Sequence, residues 1–85
     1  MKARGQILYK DATTEPIVTW IERERECEVE TEFGRYLYQP YVIQAPNGML
    51  FGDYRFCKYD FSRRTWYAVD NIKEFQIIEE NQNEQ

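Results

Sequence analysis

Glutamate occupies every second position from Glu22 to Glu32: Glu22, Glu24, Glu26, Glu28, Glu30 and Glu32. A period of two is that of a β-strand, whose successive side chains point to opposite faces. In a single strand, one face would be a row of carboxylates. The intervening Arg23, Arg25, Cys27, Val29 and Thr31 would form the other face, turning apolar toward Phe33. A helix is the rival for residues 17–33, because Glu and Arg are good helix formers. However, Trp20, Ile21, Cys27, Val29 and Phe33 keep no i, i+3, i+4, i+7 stripe, and Val, Thr and Phe favour strand. Strand is therefore the expectation. The seventeen residues from Ile17 to Phe33 are long for one strand, so the segment is either bent by a bulge or broken in two near Glu22–Arg25.

The rest of the chain reads the same way. Gln6–Lys10 is a first strand, and Asp11–Pro16 a loop rich in turn formers. Arg35–Gln44 is aromatic and β-branched, with Pro40 marking an edge or a bulge. Ala45-Pro46-Asn47-Gly48 is a hairpin turn, and Met49–Lys58 the return strand, with a bulge or kink expected at Gly52. Residues 59–64 turn, Thr65–Val69 is a strand, and Glu74–Ile78 closes the set. The expected fold is all-β, a small, strongly bent antiparallel barrel of five to six strands. One domain spans residues 1–78, and the acidic tail 79–85 (EENQNEQ) contains no apolar residue and is expected to be disordered.

The chain of 85 residues has a net charge of −4, which argues against uniform non-specific binding to nucleic acid. The distribution matters more than the total. Residues 1–33 sum to −3, residues 34–73 to +3 and the last twelve to −4, so an acidic and a basic side are expected. There is no histidine, which removes the usual proton shuttle and nucleophilic triads. Cys27 and Cys57 have no CxxC partner, so zinc and thiol catalysis are not indicated and both read as reduced, buried small side chains. The spacing of Asp53, Asp60 and Asp70 fits no calcium loop, and no glycine-rich phosphate loop is present. A non-enzymatic protein without a cofactor is expected. Met1–Gly5 leads into ILYKD without a long apolar stretch, so a cytoplasmic protein with no membrane contact is expected, as a monomer or a homodimer.

From Tyr54 onward the order of features resembles the end of a WYL domain. The segment runs Tyr54-Arg55-Phe56-Cys57-Lys58, then Tyr59–Arg64, Thr65–Ile72 and Phe75–Ile78, and the opening Ile7–Asp11 is similar to that family's first strand. Met49-Leu50-Phe51 stands where the family has Trp-Tyr-Leu, and Asp70-Asn71-Ile72 where it has Asp-Arg-Ile. The resemblance implies a Sm-like β-barrel acting as a non-enzymatic regulatory or defence-associated module that senses nucleic acid or another ligand.

Two functional expectations follow. Arg55, Lys58, Arg63 and Arg64 interleave with aromatic residues that include Trp66 and Tyr67. Arginine pairs with phosphate through a planar fork, and rings stack on unpaired bases, so these six residues would bind a single-stranded nucleic acid or a nucleotide. The alternative rests on Glu22, Glu24, Glu26, Glu28, Glu30 and Glu32. Alternate strand positions lie about 6.6–6.8 Å apart, close to the phosphate spacing along one nucleic-acid strand. Such a row would act as a nucleic-acid mimic in an inhibitor, phage-borne for example, that occupies the basic channel of a protein partner.

Overall fold

The computed structural model describes residues 5–78, so the expectation of a disordered tail at 79–85 falls outside the described residues. Within them the chain is all-β, with eight strands and no helix. These are β1 Gly5–Tyr9, β2 Thr14–Ile17, β3 Thr19–Glu22, β4 Cys27–Thr31, β5 Gly34–Gln44, β6 Leu50–Asp60, β7 Thr65–Val69 and β8 Ile72–Ile77. No helix among the described residues is long and apolar enough to cross a membrane.

The strands form two antiparallel sheets, of order β2-β1-β8 and β3-β4-β5-β6-β7. The chain passes between the sheets at two corners. Val18 lies between β2 and β3, where its N–H donates to Glu30 O at 2.7 Å, and Asp70-Asn71 lies between β7 and β8. These corners keep the two sheets separate, so the barrel expected from the sequence is not closed. The count of eight strands exceeds the expected five to six because Thr14–Pro16, read as loop, pair with β1 as part of β2, and because the glutamate segment supplies two strands, β3 and β4. Pro16 is accommodated there because β2 is an edge strand.

The glutamate segment is corrected more sharply. Glu22 pairs with Cys27 across the β3–β4 hairpin, and Arg23–Glu26 form the loop, closed by Arg23 N–H donating to Glu26 O at 2.8 Å. The break expected near Glu22–Arg25 is therefore a hairpin turn. Paired positions have opposite parity, Ile21 with Glu28 and Trp20 with Val29. Glutamates before and after the loop consequently land on opposite faces, and no single row of carboxylates forms.

The core fills the space between the sheets. Ile7, Ile17, Cys27, Val29, Tyr36 and Ile72 are buried there, flanked by the rings of Trp20, Tyr38, Phe56 and Phe75. Phe75 lies edge-on to Trp20 at 6.2 Å and to Phe56 at 5.1 Å between centroids. The opposite, outer face of the five-stranded sheet buries Leu37 and Cys57, which are neighbours across β5 and β6. The two cysteines are free and buried on opposite faces of one sheet, which excludes a bridge between them.

β5 and β6 outrun this core. β4 reaches β5 only as far as Tyr38, and β7 reaches β6 only from Phe56. Gln39–Gln44 and Leu50–Arg55 therefore pair only with each other among the described residues, as a two-stranded arm about 20 Å long. Pro40 lies on the uncovered edge of β5, as its missing N–H requires. The register along the arm is unbroken through Val42–Gly52, so the bulge expected at Gly52 is absent.

Gly5 marks the tightest junction. A Cβ built there would lie 2.5 Å from Gln76 O and 2.8 Å from the Trp20 ring. Gly5→Ala is expected to force the Trp20 ring off β1 and to lower stability by about 1–3 kcal/mol. Urea unfolding should show this as a lower midpoint with an unchanged slope.

Candidate functional site

Strand alternation divides the six residues expected to bind an anion. Arg55 and Trp66 lie on the outer face of the five-stranded sheet, while Lys58 and Tyr67 face inward as a cross-strand pair. Arg63 and Arg64 occupy the β6–β7 turn between the faces. The structure thus puts Arg55 and Trp66 on one side and Lys58 and Tyr67 on the other, with the two turn arginines at the rim between them.

The outer face is built around a residue that the sequence reading passed over. Arg35, at the start of β5, has its guanidinium 5.1 Å from the centroid of Tyr59 and 5.6 Å from that of Trp66. The two rings meet edge-on at 5.1 Å. Arg35 Nε also donates to Glu28 Oε2 at 3.1 Å, and Arg23 Nη1 donates to Glu28 Oε1 at 3.2 Å. Further along the sheet, Arg55 lies over the Tyr41 ring at 5.0 Å. Arg55 and Tyr59 are four positions apart on β6, a span of about 13 Å, and exposed Ala68 and buried Cys57 floor the interval. The signal for Arg35 was its place diagonal to Glu28 across the tight β4–β5 hairpin, visible once Thr31 is paired with Gly34.

At the end of this strip, Asp60 Oδ1 accepts the N–H groups of Ser62 at 2.9 Å and Arg63 at 3.2 Å, and Arg64 N–H donates to Asp60 O at 2.7 Å. The turn holds Arg64 at φ 57°, in the left-handed region that disfavours most side chains, arginine among them. Arg63 is well exposed, and its Nε lies 3.9 Å from Asp60 Oδ2.

Lys58 and Tyr67 instead line an open cleft of about 730 Å³ between the sheets, with Tyr9, Glu15 and Tyr36. Tyr9 Oη donates to Glu15 Oε1 at 2.6 Å, and Thr31 Oγ1 donates to Glu15 Oε2. The second of these bonds fastens the small sheet to the large one, and the first holds the Glu15 carboxylate for it. Burial, then donation to Glu15, raises the Tyr9 phenol far above its ordinary value, so it stays a donor. Lys58 Nζ lies 5.3 Å from the Tyr36 centroid. Lys10 and Lys58 are outnumbered on the cleft wall by Asp11, Glu15 and Asp70, which is a poor setting for an anion.

The six glutamates are dispersed. Glu22 shares the inner face with Trp20, Glu28 and Glu30 lie on the outer face, Glu24 and Glu26 are in the β3–β4 loop, and Glu32 is in the β4–β5 turn. Arg23, expected to point away from the row, pairs with Glu28 instead. Among the described residues no cluster of three His, Cys, Asp or Glu side chains is placed to hold a metal ion. Burial and the nearby Glu22 charge push the Cys27 thiol up to about 11, so it is un-ionised at neutral pH.

Glu28 is held below the usual carboxylate range, chiefly by the hydrogen bonds from Arg35 and against the opposing effect of burial. Because its folded value lies below the unfolded one, the stabilisation is fully present above the unfolded value of about 4.3 and is lost as pH falls through the lower, folded value. Glu28→Gln is expected to lower stability by roughly 0.5–1 kcal/mol at pH 7, since its arginine partners are 34% and 47% exposed. Thermal melts of both proteins between pH 7 and 2 should converge at the acid end.

No family model, no curated protein and no solved structure matches this chain.

Proposed function

We propose that the chain is a non-catalytic binding module that takes a single-stranded nucleic acid or a nucleotide on the outer face of its five-stranded sheet. The observation that carries this reading is the strip on β6 and β7. Arg55 stands at one end, the Tyr59 and Trp66 rings with Arg35 lie in the middle, and Arg63 and Arg64 stand at the other end. Rings supply a sequence-tolerant stacking surface, and arginines on either side supply phosphate contacts. A phosphate arriving at Arg35 would compete with Glu28 for the guanidinium fork.

Arg64 supports the same reading independently. Glycine or asparagine would suit φ 57° better than arginine, so the backbone here is strained. Strain retained in an exposed turn fits a residue kept for its side chain. The resemblance of residues 54–78 to WYL domains supports a regulatory or defence-associated setting. Two buried free thiols support a reducing, cytoplasmic one.

Fluorescence anisotropy with a labelled single-stranded oligonucleotide at low salt tests the proposal. Binding is expected, and it should weaken steeply as the Debye length falls from about 10 Å at 0.1 M salt to about 3 Å at 1 M. Trp66→Ala should cost about 1–3 kcal/mol of affinity. Lys58→Ala and Tyr67→Phe, which alter the inner cleft, should leave affinity unchanged. Absence of binding at low salt, or equal losses from both faces, would reject the proposal. Arg64→Gly should weaken binding while raising stability by up to about 1 kcal/mol, because relief of roughly 1–2 kcal/mol of left-handed strain outweighs the greater unfolded-state entropy of glycine, and a calorimetric melt would read the second effect.

A further inference from the structure

The arm formed by Gln39–Gln44 and Leu50–Arg55 carries apolar surface that the fold does not cover. Val42 and Leu50 are 67% and 66% exposed, and Ile43, Met49, Phe51 and Tyr54 are exposed as well. By strand alternation Val42, Leu50 and Tyr54 lie on one face of the arm and Ile43, Met49 and Phe51 on the other, so both faces carry exposed apolar side chains, as interaction surfaces do. A two-stranded ribbon with both edges in water is also marginal by itself.

The direction of the main-chain groups distinguishes the two edges. Ala45 N–H donates to Met49 O at 2.8 Å, so this pair is a hydrogen-bonded one. Antiparallel pairs alternate, which makes Gln44–Leu50, Val42–Gly52 and Pro40–Tyr54 the non-bonded pairs of the arm. Pro40, which has no N–H to give, agrees with that phase. Leu50, Gly52 and Tyr54 therefore direct N–H and C=O away from β5. They face the edge that β7 occupies further along, from Phe56 onward. Tyr54 N–H takes the carboxylate of its neighbour Asp53 at 2.8 Å, as an outward donor would. The β5 edge is interrupted by Pro40, whereas the β6 edge has no proline, no lysine and no bulge between Leu50 and Arg55.

Gly52 is the midpoint of that open stretch, Met49–Arg55. A Cβ at Gly52 would meet no atom within 4 Å, and its φ is not positive. Nothing inside the chain requires glycine here, yet a mid-strand glycine weakens a strand. Glycine here leaves no side chain on either sheet face at the centre of the open edge, where a strand laid alongside would bring its own.

We propose that the occupant is a second copy of this chain, paired β6 to β6 across a twofold axis at Gly52. Gly52 then faces Gly52 of the other copy, and Leu50 faces Tyr54 in both directions. Each of these facing pairs exchanges two hydrogen bonds, which uses every outward group of the three residues. A twofold axis brings a patch onto itself, so a charged arm would repel its copy. The only charged residues from Gln39 to Arg55 are Asp53 and Arg55, which leaves the arm neutral while the whole chain carries −4. The same register sets Met49 opposite Arg55 on the outer face.

Sedimentation across a concentration series should show the mass rising from 10.4 kDa to twice that value. Hydrogen exchange of the Leu50, Gly52 and Tyr54 amides should slow on the order of tenfold as the dimer fills. Gly52→Pro should abolish the dimer and leave the circular dichroism of the monomer intact, since that N–H bonds nothing within the arm. Met49→Glu should tighten the dimer and Met49→Lys loosen it, each by roughly two- to fivefold, because Met49 faces Arg55 of the other copy. The opposite signs at one exposed site separate register from any effect on folding. A chain that stays monomeric at every concentration, with a foreign strand then the occupant, would overturn the proposal. So would a dimer whose three amides exchange as fast as the monomer's, or Met49 variants that shift in the same direction.

Discussion

The apolar contact between two sheets of unequal width governs this structure. Ile7, Ile17 and Ile72 from the small sheet meet Val29 and Tyr36 from the large one. A chain of 85 residues has little more than this to bury. The small sheet covers the middle of the large sheet and is fastened there by Glu15, which accepts from Tyr9 on its own sheet and Thr31 on the other. Strand length beyond that cover has no core to pack on. The bare arm and the exposed outer face both follow from a core shorter than the strands that pass through it.

The fold class was legible because strand alternation and turn chemistry are local. Ala45-Pro46-Asn47-Gly48 turns, with Gly48 at φ 90°, and β7 runs over Thr65–Val69 as the pattern implies. The glutamate periodicity misled for a physical reason. A period of two has no structural meaning inside a loop, and Arg23–Glu26 continue the pattern through a reversal of chain direction. Barrel closure was illegible because it depends on how sharply Val18 and Asp70-Asn71 turn the chain, which composition does not encode. The candidate site was half legible. Arg55 and Lys58 are three apart in one strand and so must face opposite ways, and that parity separates the residues grouped by chemistry. Arg35 lay outside the basic–aromatic run and entered the site only because β5 pairs with β6, which carries β7 on its far side.

Apart from Asp53 out on the arm, charge on the outer face runs from acidic to basic across the strands. Glu28 and Glu30 lie on β4, Arg35 on β5, Arg55 on β6, and Arg63 and Arg64 beyond it. Glu28 restrains Arg35, whose guanidinium would otherwise be one more mobile surface cation, and holds it against two rings. The acidic half of the chain thereby orders the basic half, although the two compositions look opposed in the linear sequence. An arginine held in this way has less rotamer freedom left to lose when it meets a second anion.

Pro40 has a further meaning for assembly. A ribbon with two bondable edges accepts a neighbour on each side, and such additions propagate without limit into filaments. An imino nitrogen near the root of one edge removes one of its three outward donors, those of positions 40, 42 and 44, and makes that edge the weaker one for strand addition. One ring closure between a side chain and its own backbone nitrogen thus makes the two sides of the ribbon unequal, which works against unlimited growth from both edges at once.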